Sequence, residues 1–137
     1  MSKRERPSAP YPLGEHDDGA IQTPTGRPLS DLDLDALRAG DMGTEDLGIH
    51  ADTLNRQAEI AEEAGFPQLA ANLRRAAELT RVPHETVLAV YEALRPYRVT
   101  HERLLALADE LEETYGATEN AALIREAAQT YREQGLL

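Results

Sequence analysis

The chain has 137 residues, a formal net charge of −11 and no cysteine. This surplus of carboxylates argues against binding to nucleic acid or to an anionic membrane, since both need clustered lysine and arginine. Without cysteine there is no disulfide framework and no thiolate metal site. No apolar run approaches the ~20 residues that a membrane-spanning helix needs, and the composition therefore predicts a cytoplasmic protein.

Residues 1–29 differ from the rest of the chain in composition, because they hold five of its eight prolines. Proline fixes φ and removes a backbone donor, so this segment is predicted to be extended or irregular. We expect an extended Pro-rich N-terminal arm over residues 1–29, followed by a helical domain over residues 30–137.

From Ser30 onwards the apolar residues recur at helical spacing, and no period-two pattern typical of a strand stands out. The predicted fold class is all-α, a compact bundle of about five to six short helices joined by short connections. The predicted helices are a short one between Ser30 and Gly40, one over about 51–64, one from Pro67, one from Pro83 to about 95, one capped by Thr100 and one capped by Thr118.

Each longer helix has a predicted inner face, formed by the apolar residues that share one side. The faces are Leu54, Ala58 and Ala61 in the second helix, Leu69, Leu73, Ala76, Ala77 and Thr80 in the third, Val87, Tyr91 and Leu94 in the fourth, Leu104, Leu107, Ala108, Leu111 and Tyr115 in the fifth, and Ala121, Ile124, Ala128 and Tyr131 in the sixth.

The sequence has no pattern typical of catalysis or metal binding. None of the four histidines pairs with another at i, i+4, and there is no GxSxG, GxGxxG or Walker motif. Glu59 and Glu63 lie at i, i+4, but acid–base chemistry would need a desolvated pocket, and a solvated acidic face is the favoured interpretation. We therefore predict no catalytic, cofactor-binding or metal-binding residue in this chain.

Arginine and tyrosine are the candidates for contacts with other proteins, because both are enriched in interface hot spots. Arg95-Pro96-Tyr97-Arg98 forms a compact loop, and Arg74 and Arg75 lie within the third predicted helix. Pairing with carboxylates inside the chain is the alternative for these arginines. The candidate interface residues are Tyr11, Pro12, Arg27, Arg74, Arg75, Tyr91, Arg95, Tyr97 and Arg98.

Short motifs follow one another along nearly the whole chain, from about Tyr11 to Tyr131. They are Tyr11-Pro12-Leu13, TPTGRPL at 23–29, RAAEL at 75–79, Val82-Pro83, YEALRPYR at 91–98, LLALADELE at 104–112 and REAA at 125–128. In this order they resemble the small (gamma) subunit of adenosylcobalamin-dependent diol dehydratase and glycerol dehydratase. The stretch ending in Leu-Arg-Pro-Tyr-Arg is the most specific part.

The resemblance implies an enzyme of large (alpha), medium (beta) and small subunits, each present twice, that dehydrates a 1,2-diol or glycerol to an aldehyde by radical chemistry. Adenosylcobalamin would be bound by the partner subunits, and the small subunit would be a structural companion of the large one with no catalytic residue. The alternative is a stand-alone helical adaptor or regulatory protein. A self-contained enzyme using Glu59 and Glu63 is the least favoured hypothesis. The preference for propane-1,2-diol or glycerol stays open.

Two departures from the family pattern carry further expectations. Some diol dehydratase small subunits begin with an amphipathic extension linked to packaging in bacterial microcompartments, whereas the leader here is Pro-rich and lacks that pattern. Packaging is therefore expected, if at all, through partner subunits. His50 stands where family members usually have serine or threonine, so a weaker helix cap is expected there.

Overall fold

The computed structural model describes residues 10–17 and 19–137. Within these ranges the secondary structure is helical, without a β-strand, and this confirms the all-α class. The predicted arm falls partly outside them, since residues 1–9 and 18 are not described. The helices are α1 (Leu34–Ala39), α2 (Ala51–Glu63), α3 (Pro67–Leu79), α4 (His84–Ala93), α5 (His101–Tyr115) and α6 (Thr118–Gln134).

Contacts between residues divide the chain into two compact units, residues 1–77 and residues 78–137. The last two residues of α3, Glu78 and Leu79, belong to the second unit. The division into an arm over 1–29 and a helical domain over 30–137 rests on composition and stays a prediction.

The described part of the Pro-rich segment is irregular but ordered by backbone hydrogen bonds. Leu13–His16 and Leu29–Asp31 form short 3-10 turns. Between them the chain reverses: the Thr23 amide donates to the Arg27 carbonyl at 2.9 Å, and the Leu29 amide donates to the Ile21 carbonyl at 3.0 Å. Leu13 and Thr23 are buried, so this segment contributes side chains to the interior of the first unit.

At the starts of α1, α2 and α5, the preceding residue supplies a side-chain cap. Asp33 accepts from the Ala36 amide at 2.7 Å at the start of α1, and Thr100 accepts from the Arg103 amide at 3.2 Å at the start of α5. At the start of α2, His50 Nδ1 accepts from the Asp52 amide at 3.1 Å. The histidine therefore fills the capping role that its position requires.

The sixth helix is capped differently from the prediction, which named Thr118 as its cap. The residue before the helix is Ala117, which has no capping side chain. The carboxylate of Glu78 takes this role from the end of α3, accepting from the Glu119 amide at 2.8 Å and the Asn120 amide at 2.9 Å. The prediction failed because the acceptor lies far away in the sequence.

The core of the second unit lies mainly between α5 and α6. Both predicted inner faces are confirmed: Leu104, Leu107, Ala108, Leu111, Ala121, Ile124 and Ala128 are buried, and Tyr115 and Tyr131 pack against them. In the predicted fourth helix, Val87 of α4 and Leu94, which directly follows α4, pack on this core as expected. The prediction is wrong for Tyr91, which is 62% exposed. Val90 and Ala93 take the inner positions instead.

The core of the first unit is built largely from alanine. Ala58 and Ala61 of α2 pack with Ala70 of α3, and Leu73 lies against them. This confirms the inner face of α2, where Leu54 is also buried. The predicted face of α3 is right at Leu73 and Ala77. It is wrong at Leu69 and Ala76, which are exposed, and at Thr80, which is exposed and follows the last residue of the helix. Ala70, which the sequence did not place on this face, is also buried.

Candidate subunit interface

Tyr11 is one of the residues that line an apolar groove in the first unit. Its side chain is exposed, and it lines a cavity of about 360 Å³ together with residues of α2, α3 and the turn between them. The walls are almost entirely apolar, and Phe66 and Leu69 remain partly exposed in them. Pro12, which follows Tyr11, is exposed as well. The groove is suited to receive an apolar side chain of another protein.

Arg27 is engaged inside the first unit. Its Nε lies 3.9 Å from the buried carboxylate of Asp46, and its Nη2 donates to the backbone carbonyl of Asp41. The Thr25 hydroxyl and the Gly43 amide also donate to Asp46, and these two hydrogen bonds, in that order, lower the pKa of its carboxyl group. Arg27 therefore braces the Pro-rich segment against residues 41–46.

Arg74 and Arg75 also have partners within the first unit. Arg74 pairs with Glu62 of α2, and Arg75 donates to Asn72 one turn earlier in α3. Both arginines are half-buried. These contacts agree with internal bracing, the alternative left open by the sequence, and a role at an interface stays a prediction.

The Arg95–Arg98 loop gathers two arginines around one carboxylate in the second unit. Arg95 Nη1 lies 3.1 Å and Arg98 Nε 3.4 Å from the Glu92 side chain, and all three side chains are largely exposed. In water such pairs contribute at most about 1 kcal/mol each. The pairs therefore orient the guanidinium groups and add little to the stability of the unit.

Tyr97 has a backbone that is unusual for a large side chain. Its φ is 62°, in the left-handed region that glycine favours. Its amide donates to the Leu136 carbonyl at 2.8 Å, which ties the loop to the chain end, while its side chain is 69% exposed. A residue other than glycine is strained in this region, and the role of the exposed ring at an interface stays a prediction.

The tyrosines divide into two groups that the sequence did not separate. Tyr115 and Tyr131 pack on the core, and the Tyr131 hydroxyl donates to the Leu94 carbonyl at 2.7 Å. Tyr91 and Tyr97 face solvent beside Arg95 and Arg98 in sequence. The candidate interface residues Tyr91, Arg95, Tyr97 and Arg98 are all in the second unit. The other candidates are in the first unit, namely Tyr11, Pro12, Arg27, Arg74 and Arg75.

Sequence reasoning missed Phe66 and Leu69 as lining residues of the groove. Phe66 follows Gly65, whose positive φ ends α2, and it precedes Pro67. A large apolar residue in so short a connection could have been recognised from the sequence as a candidate for binding. Its side chain does not belong to the inner face of either helix. Glu78 gave no signal of its capping role, since that role depends on the fold.

The acidic pair Glu59 and Glu63 lies on the exposed side of α2. Within residues 10–17 and 19–137, no group of three or more histidine, aspartate or glutamate side chains is placed to hold a metal ion. In the same part of the chain, no helix is both long and apolar enough to cross a membrane.

Comparison with known proteins identifies the class to which this helical chain belongs. A family model described as the dehydratase small subunit matches residues 7–137. The propanediol dehydratase small subunits of Citrobacter freundii and Salmonella typhimurium are 44% and 45% identical to the chain over 124 residues, which cover 90% of this chain and 72% of each relative. The chain therefore belongs to the dehydratase small subunit family. As a small subunit, it has other dehydratase subunits as its partners.

Proposed function

We propose that this chain is the small subunit of a cobalamin-dependent propanediol or glycerol dehydratase and acts as a structural companion of the large catalytic subunit. The observation that carries the proposal is the 44–45% identity, over 90% of the chain, to two propanediol dehydratase small subunits. The same match disfavours a stand-alone adaptor or regulator. The reaction would remove water from a 1,2-diol or glycerol and leave an aldehyde.

In this proposal adenosylcobalamin, which supplies the radical, is bound by the partner subunits. Two grooves of this chain, one of about 360 Å³ beside Tyr11 and one of about 420 Å³ between α4 and α5, are both much smaller than a corrinoid. His50 accepts a hydrogen bond from the Asp52 amide and so acts as a helix cap. In this proposal the chain's own residues bind protein rather than coenzyme.

The contacts with the large subunit are proposed for Tyr11 and Pro12 in the first unit and for Tyr91, Arg95, Tyr97 and Arg98 in the second. Their exposure supports this choice, since burying an aromatic ring at an interface contributes strongly to affinity. Arg27, Arg74 and Arg75 would act mainly by holding the surfaces around them. We further propose a complex with two copies each of the large, medium and small subunits in the cytoplasm.

Co-purification followed by a substrate panel tests this proposal. The tagged chain, co-expressed with the large and medium subunits of a propanediol dehydratase, should retain both through purification. The purified complex, supplied with adenosylcobalamin, should convert propane-1,2-diol or glycerol to the aldehyde. Recovery of the chain without either subunit would contradict the proposal, as would a complex inactive on both substrates.

A further inference from the structure

α1 presents its large side chains to solvent. None of its six residues is buried, and Leu34 and Leu37 are 68% and 48% exposed. Since they are three residues apart, these leucines lie on the same side of the helix. Leu47 and Ile49, in the segment that leads to α2, are exposed as well. We call these four residues, two on α1 and two in the segment that follows it, the 34–49 surface.

The chain holds α1 in place by local contacts rather than by burial. Asp33 caps its first turn, Gly40 ends it in the left-handed conformation, and the Arg27 side chain donates to the Asp41 carbonyl just beyond. A helix of two turns is not stable by itself in water, and most helices gain stability by burying one face. Here the structure fixes the helix while its leucines stay exposed, as expected of a surface that another molecule covers.

The charges around the 34–49 surface indicate which molecule that is. The segment from Asp31 to Asp46 contains six carboxylates, at positions 31, 33, 35, 41, 45 and 46, and one cation, Arg38. Asp46 is engaged with Arg27, and most of the others are exposed. A second copy of this chain would bring the same carboxylates face to face, which is unfavourable. The complementary partner is a basic protein surface.

We propose that Leu34, Leu37, Leu47 and Ile49 dock into an apolar groove, rimmed by lysine or arginine, on another subunit of the dehydratase. Only the identity of the partner rests on the proposed function. Leucines at i and i+3 are typical anchors of a helix that lies in a groove. Their burial provides the affinity, and the surrounding carboxylates speed and orient the encounter.

Titration of the full-length chain onto the purified complex of the large and medium subunits tests this docking. The variant carries Leu34→Gln and Leu37→Gln, and the matched control carries Leu123→Gln, an exposed leucine of α6. We expect the double variant to bind at least about tenfold more weakly, in the range of hot-spot losses. The control should bind like the natural chain, and both should unfold at the same temperature because the substituted side chains are exposed.

A second variant measures the contribution of the carboxylates to docking separately from that of the leucines. Asp35→Asn with Glu45→Gln should slow association at low salt, and the difference should vanish at high salt, where exposed charges are screened.

If the natural chain fails to bind the other subunits, the proposed function is wrong. If it binds and the double leucine variant binds equally well, only the docking surface is wrong. A double variant that binds normally but loses self-association or its own stability would assign the surface to a second copy or to a segment of this chain.

Discussion

At the scale of single residues, Glu78 makes the most connected contact of the second unit. Its two carboxylate oxygens accept from the Glu119 and Asn120 amides, and Oε2 also accepts from Asn120 Nδ2 at 2.6 Å. The first amides of a helix have no partner within it and carry partial positive charge, so a carboxylate is well suited to them. Glu78 therefore couples the end of α3 to the start of α6.

Glu78→Ala is expected to lower the free energy of unfolding by about 1 kcal/mol, the usual loss for a helix cap. Urea unfolding followed by circular dichroism measures the change. Glu110→Ala, at an exposed position of α5, is the matched control and should change stability by less than half as much. Equal effects of the two substitutions would show that the cap contributes nothing.

Asp46 gives the first unit a defined dependence on pH. Hydrogen bonds from Thr25 and Gly43 lower the pKa of its carboxyl below the ordinary value of 3.8. A carboxyl whose pKa is lower in the folded state stabilises the fold above its unfolded pKa, and this contribution is lost as the pH falls through the folded pKa.

The difference in unfolding midpoint between the natural chain and Asp46→Asn should thus be largest at neutral pH and shrink between about pH 5 and pH 2. Urea titrations of both proteins across this range measure it. Exposed Asp35→Asn is the control and should show no such convergence. A difference that stays constant with pH would mean that the Asp46 charge does not support the fold.

At the scale of helices, the sequence predicts best where large apolar residues alternate with charged ones. The inner faces of α5 and α6 are correct because leucine and isoleucine mark them against glutamate and arginine. α3 is rich in alanine, which suits either side of a helix, so the sequence identified Ala77 correctly but did not show that Ala70 rather than Ala76 faces inward. Tyr91 was wrongly predicted to face the core for a similar reason. Tyrosine has an apolar ring and a polar hydroxyl, so it occurs both in cores and on surfaces.

Contacts between distant residues explain the rest of what the sequence did not predict. Glu78 meets α6 only because two helices are brought together, and Tyr11 lines a groove formed by α2 and α3. The candidate interface was predicted as residue types, and the structure shows which of them are exposed. Tyr91 and Tyr97 are, whereas Arg27 and Arg74 have internal partners.

The loop after α4 allows a test in which stability and binding move in opposite directions. Tyr97→Gly removes a side chain from a left-handed residue, where a non-glycine residue carries a penalty of about 1 kcal/mol. The variant should be at least as stable as the natural chain and should bind the large and medium subunits more weakly. Thermal unfolding and binding isotherms measure the two effects. Loss of stability with unchanged binding would make the ring a structural element.

At the scale of the whole molecule, two helical units carry their exposed apolar and aromatic residues on an acidic chain with a net charge of −11. A strongly acidic subunit remains soluble and repels its own copies, while it attracts a partner with basic surfaces. The chain is a dehydratase small subunit. In our proposal its exposed apolar and aromatic residues bind the other subunits and thereby support the large one.

The most direct test of this account compares the large and medium subunits with and without this chain, at equal concentrations and with saturating adenosylcobalamin. We expect the large and medium subunits alone to lose diol dehydratase activity faster on heating and to recover it when the purified chain is added in equal amount. Full activity and unchanged heat resistance without the chain would contradict the account.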